Sequence, residues 1–220
     1  MPHIDLILGA EPGRRRSIRT EPTQRRSTQR LDALLDAAAE LVDEIGFERL
    51  TTQMVAERAA ASIGTVYRYF PDRVAVLHAL RERSVERFRA RVAAILAESN
   101  PSTWWDVVEA AIEAATQLYR DEPGFSVVRS AWREPDEHGQ DPEFAARVSR
   151  VIEAEFGELA DASDVRFRLG VAIELADALI SRAFLHNPEG DQRYLDEARR
   201  VVRGYLAEHL DDVRVASTAA

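Results

Sequence analysis

The sequence predicts an all-α chain of about nine helices, and three observations carry that expectation. Apolar residues recur at i, i+3, i+4 and i+7 through most of the chain. No stretch alternates with the period of two that a half-buried strand requires. Pro, Gly and capping residues fall between the periodic stretches, where helices must stop and start. The layout is a three-helix N-terminal unit followed by a larger helical body. With 220 residues, 45% of them hydrophobic and 30% charged, the chain can bury a real core in one domain or two.

Residues 1–27 contain Pro2, Pro12, Pro22, Gly9 and Gly13 without a helical period, and read as a basic flexible arm. Its Arg14, Arg15, Arg16, Arg19, Arg25 and Arg26 suit either a solvated tail or an arm that touches phosphates. The first helix is expected over 28–45, capped by Thr28, with Leu31, Leu34, Leu35, Ala38, Leu41, Val42 and Ile45 on one face. Gly46 supplies a left-handed stop, and Phe47 can fold back on Val42 in a Schellman arrangement. Thr51 or Thr52 caps a helix to about Ala59, and Ser62 caps another ending near Phe70. Pro71 ends that helix and Asp72 caps the next, over 73–98.

After Asn100-Pro101, the Thr103-x-x-Asp106 arrangement opens a helix to about Asp121. Pro123-Gly124 breaks the chain before a short helix from Phe125 to Trp132, and residues 133–141 form a polar acidic loop. Asp141-Pro142 opens a helix carrying Phe144, Val148, Val151, Ile152, Phe156 and Leu159. Asp164 caps a helix to about Asn187 that is apolar on more than one side, so one side is expected to meet another subunit. A helix over 191–210 and a frayed tail over 211–220 complete the chain.

Composition removes several classes of function. There is no cysteine, hence no disulfide and no thiolate metal site, which fits a reducing cytoplasm. No apolar run approaches the ~20 residues of a membrane span, and the brief apolar start lacks the form of a signal peptide. No phosphate-cradling Gly loop, Gly-x-Ser-x-Gly elbow or His-Glu-x-x-His helix occurs, and no catalysis and no cofactor are expected. Asp136, Glu137, His138 and Asp141 resemble metal ligands only loosely, and no metal is assigned. The net charge of −9 argues at first against a nucleic-acid binder. Residues 1–73, however, hold 11 Arg against 11 Asp plus Glu, so the whole deficit lies in the remainder.

The stretch 51–70 has different chemistry. Its second helix carries small, hydroxyl and aromatic residues where a core helix would carry Leu and Ile. An α-helix enters a DNA major groove only if its leading face is short, and Ser62, Gly64 and Thr65 provide that face. Tyr67, Arg68 and Tyr69 suit phosphate oxygens, and Arg68 also suits a guanine edge. The free amides at a helix start attract phosphate, which gives Thr51 and Thr52 a role. Val66 and Phe70 point back toward Val55 and Leu41. The alternative is a helical hairpin that reads nothing.

Residues 28–77 resemble the N-terminal domain of the tetracycline-repressor (TetR) family of bacterial transcriptional regulators. The resemblance rests on Gly46-Phe47, Thr51-Thr52, Val55-Ala56-Glu57-Arg58-Ala59, Ser62-x-Gly64-Thr65-Val66-Tyr67-x-Tyr69-Phe70, and Arg73 followed by Leu77. It implies a helix-turn-helix DNA-binding domain over 28–77 and an effector-binding and dimerisation domain over 78–210. Thr51, Thr52, Ser62, Gly64, Thr65, Tyr67, Arg68, Tyr69 and Arg73 would touch bases or phosphates; the charges of Arg26, at the end of the arm, and Arg30, at the start of the first helix, make them further candidates for DNA contact. Arg73 stands where the family usually has a phosphate-binding Lys. The turn Ala59-Ala60-Ala61-Ser62 departs from the family's Ala-Gly-Val-Ser, and puts Ala60 where Gly takes a positive φ.

The resemblance further implies a homodimer through the last two helices, at Phe167, Val171, Leu175, Leu179, Arg182, Val202 and Tyr205. Phe88, Trp104, Trp105, Tyr119, Phe125, Trp132 and Phe156 are either ordinary aromatic core or the lining of an effector cavity. The expected function is a ligand-responsive repressor on a near-palindromic double-stranded DNA operator, released by a small apolar or amphipathic effector and free of any membrane. The competing reading is a helical dimeric module that binds a small molecule or protein without reading DNA.

Overall fold

A computed structural model describes residues 3–8, 22–131, 142–157 and 161–210. The described residues contain α-helices and no strand: α1 (Ile4–Leu8), α2 (Pro22–Ile45), α3 (Thr52–Arg58), α4 (Ile63–Tyr69), α5 (Arg73–Ser99), α6 (Trp104–Asp121), α7 (Phe125–Ala131), α8 (Pro142–Phe156), α9 (Ala162–Phe184) and α10 (Gln192–Leu210). Trp132, the acidic loop with Asp136, Glu137, His138 and Asp141, the Arg cluster 14–19 and the tail 211–220 lie outside the described residues. No helix among the described residues is long and apolar enough to cross a membrane.

The chain forms two compact units. The first contains residues 22–85 and 122–131 of those described. Its core is Leu34, Leu35, Ala38, Leu41 and Val42 of α2 with Leu50, Val55, Ala56, Val66, Phe70, Val76, Leu80 and Val128. The predicted stripe of α2 is therefore the buried one, with Leu31 packed at its edge. Three expectations need correction here. The helix begins at Pro22, with Pro at the position where its missing N–H costs nothing, so Thr28 is interior and not a cap. The stretch 1–27 thus holds helical residues at both ends instead of reading as arm throughout. The stop at Gly46 uses its N–H to the Val42 carbonyl at 2.9 Å, with φ 77 and ψ 157. That ψ is extended rather than left-handed, and a 3-10 turn (Phe47–Arg49) follows in place of a Schellman loop.

Gly124 explains how α7 reaches the core of this unit. Its φ is +73, and a Cβ there would lie 2.7 Å from the Ala39 carbonyl oxygen, so only glycine fits. Its N–H donates to Asp43 at 3.0 Å.

The second unit contains residues 3–8, 86–121, 142–157 and 161–210 of those described. Val92 and Leu96, Val107 and Ala114, Val151 and Ile152, Ile180, and Leu195, Ala198, Val202, Leu206 and Leu210 build one continuous core. The α9–α10 pair makes its largest helix–helix contact. The capping arrangement at α6 is present in both directions. Asp106 N–H donates to Thr103 Oγ1 at 3.3 Å, while Thr103 N–H donates to Asp106 Oδ2 at 2.8 Å. The cap of α9 is Asp161, which accepts from the amides of Ser163 and Asp164 at 3.0 Å. The expected cap, Asp164, instead pairs with Arg168 at 2.6 Å. α8 ends at Phe156, with Gly157 at φ +104, and Leu159 lies outside the described residues.

The least expected element is α1. Ile7 is fully buried in the second unit's core, and Leu6 packs beside it. The α1 segment lies on α8, where the His3 N–H donates to Glu155 at 2.6 Å and Arg147 donates to the Leu6 carbonyl at 3.3 Å.

Two outcomes follow from this packing. Ile7→Ala should lower the unfolding free energy of the full chain by about 2–3 kcal/mol in urea titrations; a solvated arm would show no change. At α6, burial alone would raise the Asp106 carboxyl, but hydrogen bonds from Ser102 and Thr103 outweigh it and hold the pKa below its ordinary value. A depressed carboxylate stabilises above its unfolded pKa of about 4, and that contribution disappears as pH falls through the folded value. Asp106→Ala should therefore cost about 1 kcal/mol at pH 7 and progressively less below about pH 4.

Candidate nucleic-acid interface

The candidate interface is built on α3 and α4 of the first unit. Thr51 has extended backbone and caps α3, its hydroxyl accepting from Met54 N–H at 3.2 Å. Val55 and Ala56 are buried, which fixes the helix from its inner side. The turn then passes through Ala60 at φ 47. Ala60 N–H donates to the Glu57 carbonyl at 3.2 Å and Ala61 N–H to the Ala56 carbonyl at 2.9 Å. Alanine thus adopts the positive φ expected of a glycine at this position and carries the strain of its Cβ.

Ser62 caps α4, accepting from Thr65 N–H at 3.2 Å and lying 2.9 Å from the Thr65 hydroxyl. Ser62 thus has a structural duty as well as an outward position. α4 buries Val66 completely and, at its C-cap, nearly all of Phe70. These two residues are one helical turn apart, so the opposite side of the helix is left outside. Gly64 is exposed there, and a Cβ added to it would meet only Ser62 Oγ, at 4.0 Å. Among the described residues no neighbour requires this glycine. Tyr67 is 54% exposed and Arg68 is exposed, whereas Thr65 is half-buried.

Tyr69 differs from Tyr67. Its hydroxyl lies 3.1 Å from Ser27 Oγ of α2, and the Arg68 guanidinium sits 5.3 Å from its ring centre. Arg73 is exposed, donates to the Glu48 carbonyl at 2.9 Å and covers the Phe47 ring. Arg30 is exposed on α2; Arg26 lies on the same helix, its side chain outside the described residues. Arg58 turns inward to α2, with Glu44 at 2.7 Å and Glu40 at 3.2 Å. Its hydrogen bond to Glu44 raises the guanidinium and lowers the carboxyl. The structure therefore places Gly64, Thr65, Tyr67 and Arg68 on one short helix, with Ser62 at its start.

Ser27 was not singled out in the sequence because Thr28 was read as the cap and everything before it as arm. Pro22 was the available signal, since Pro favours the first position of a helix.

Most aromatic candidates of the second unit pack against another ring. Phe88 meets Phe144 at 4.9 Å, Tyr119 stacks on Phe184 at 5.1 Å, and Trp104 and Trp105 are edge-to-face at 5.9 Å. The Tyr119 hydroxyl is 3.0 Å from Ser181, and Phe156 is buried. Phe125 belongs to the first unit and does not join this group. Among the predicted association residues, Phe167 is 66% exposed. Val171, Leu175, Leu179 and Tyr205 are half-buried and Arg182 is exposed. Val202 is the exception: only 1% exposed, it faces the core of its own unit and is not on the outer face. Among the described residues no group of three His, Cys, Asp or Glu is placed to hold a metal ion.

Comparison with known proteins places this geometry. A family model described as "Bacterial regulatory proteins, tetR family" matches residues 34–80. A second, "Tetracyclin repressor-like, C-terminal domain", matches residues 102–210. The crystal structure of a TetR-family transcriptional regulator from Streptomyces coelicolor is 34% identical with a TM-score of 0.69, over 82% of this chain and 99% of that one. The structure of SmeT, the repressor of the Stenotrophomonas maltophilia multidrug efflux pump SmeDEF, shares the fold at 21% identity and TM-score 0.61, over 88% of this chain and 98% of that one. The HTH-type transcriptional repressor KstR of Rhodococcus jostii is 40% identical over 63 residues, 29% of this chain. That match spans only 30% of KstR's length.

The strain in the turn can be measured. Ala60→Gly should raise the unfolding free energy by about 0.5–1 kcal/mol, the relief of a positive φ less the extra freedom of glycine in the unfolded chain. Destabilisation on this substitution would mean the turn is not left-handed in solution.

Proposed function

Because this chain belongs to the tetR family of bacterial regulatory proteins, we propose that it is a transcriptional repressor that reads a near-palindromic operator as a homodimer. A small apolar or amphipathic effector releases it, and it acts in the cytoplasm. The observation that carries the DNA half is Gly64. A glycine in the middle of a helix is unfavourable by about 0.5–1 kcal/mol relative to alanine, and by less in the first turn, where Gly64 stands. Among the described residues only Ser62 Oγ, at 4.0 Å, comes within contact of a Cβ added there. The vacancy suits the close approach of an outside surface, and a base-pair edge in a major groove is the surface that Thr65, Tyr67 and Arg68 around it are equipped to meet.

The homodimer reading is supported by Phe167, a large apolar side chain left 66% exposed on α9, beside half-buried Val171. Two-fold pairing would set the two reading helices about 34–36 Å apart, one turn of DNA. The effector reading is supported by the aromatic content of the second unit and by α5, one continuous helix whose residues are divided between the two units. A coupling of only about 1–3 kcal/mol between effector and operator is enough for release.

The test begins with genomic DNA fragments selected by the purified protein, followed by affinity on the enriched site as a function of salt. Several phosphate contacts require a clearly negative log–log slope, and a slope near zero would refute DNA binding. Gly64→Ala then separates function from fold. It should leave stability unchanged or raise it by up to about 1 kcal/mol, while weakening the specific site about tenfold or more. Unchanged affinity would remove α4 as the reading helix.

A further inference from the structure

The first turns of α2 carry no large apolar side chain to seat them. From Pro22 to Arg30 the sequence is Pro-Thr-Gln-Arg-Arg-Ser-Thr-Gln-Arg, with no large apolar residue before Leu31. Residues 27–30 are exposed. The first turn holds no acidic residue and ends on Arg25, followed by Arg26, the wrong sign for the positive end of a helix dipole and opposed in sequence only by Glu21. An extension of this kind frays unless something outside the helix ties it down. Such a tie is present. The Tyr69 hydroxyl lies 3.1 Å from Ser27 Oγ and 3.5 Å from the Ser27 carbonyl oxygen, joining α2 to the last turn of α4 across 42 residues of sequence. The same ring supports the Arg68 guanidinium on its face.

We propose that Tyr69 is a positioning residue rather than a phosphate ligand: through Ser27 it holds the basic start of α2 in helical register with α4, so that Arg30 meets the DNA backbone from a fixed place. Tyr69 is half-buried where Tyr67 is exposed, so the two tyrosines of the motif divide the work, one facing outward and one bracing. The residues expected to act as a flexible arm then act as part of a rigid surface. A charge delivered from a fixed helix contributes a defined phosphate contact without the entropy loss of ordering a tail. This rests on the operator reading above.

The experiment uses the full-length protein and its selected DNA site, with Ser27→Ala, Tyr69→Phe, their double variant and Arg30→Ala. In the free protein, amide exchange over residues 22–30 should quicken in Ser27→Ala and in Tyr69→Phe alike. On DNA, each should weaken binding about three- to tenfold. Each should also flatten the log–log salt slope by roughly 0.9, the loss of one phosphate contact, as Arg30→Ala does. The double variant should be no worse than either single change. Tyr69→Phe keeps the ring under Arg68, so it tests the hydroxyl alone. If Tyr69→Phe weakens binding while Ser27→Ala leaves affinity, slope and exchange unchanged, the hydroxyl contacts DNA directly and the proposal falls. Unaltered exchange over 22–30 in both variants overturns it as well. A flat wild-type slope would refute the operator reading and this role with it, whereas a normal wild-type slope with unmoved variants refutes the brace alone.

Discussion

The first unit depends on how a helix of seven residues is held. α4 is shorter than the ~12–15 residues at which helices begin to persist alone in water. It exists because Val66 and Phe70 are sealed into the core formed with α2 and α3, and because Ser62 satisfies the amide of Thr65 at its start. Those attachments use one side and one end of the helix. The remaining side, with Gly64, Tyr67 and Arg68, contributes little to holding it. A short helix anchored in this way can vary its outer residues with small cost to the fold. A long helix with a broad buried face would couple the two.

The same division decides what the sequence reveals. Thr51, Ser62 and Asp72 were legible as caps because short polar side chains before a periodic run have few other uses there. The outer residues of α4 were legible because glycine, threonine and tyrosine are out of place in a core. Helices α5, α6 and α10 were legible from period and breakers alone. By contrast α1, with five residues, is too short to show a period, and its burial depends on the apolar surface that α8 offers. Two acidic residues three apart, Asp161 and Asp164, both suit a cap, and only the folded backbone chooses between them. Val202 sits in a clear apolar stripe, but a stripe does not say whether its partner is the same chain or another. The pairing of Tyr69 with Ser27 leaves no local trace at all.

A negatively charged protein that binds DNA presents an electrostatic problem, and α2 shows how part of it is met. Its acidic side, Asp36, Glu40, Asp43 and Glu44, would repel phosphates if left bare. Asp36 pairs with Arg83 at 2.7 Å and Glu40 and Glu44 share Arg58, which offsets two of these four charges, while Asp43 accepts the neutral Gly124 amide and keeps its charge. The hydrogen bond from Arg58 holds Glu44 below its usual carboxylate range, so this pairing persists as an ion pair at neutral pH. A charge matched at hydrogen-bond distance presents a dipole to more distant groups, and its field falls faster than that of an isolated charge. At ~0.1 M salt the Debye length of about 10 Å shortens that reach further. Arg68 and Arg73 are engaged differently, by stacking on a ring or by a carbonyl, which does not cancel their charge, and Arg30 is exposed on α2. The field felt by an approaching phosphate is therefore set by which charges are cancelled locally. The net −9 of the chain describes a sum that no single contact experiences.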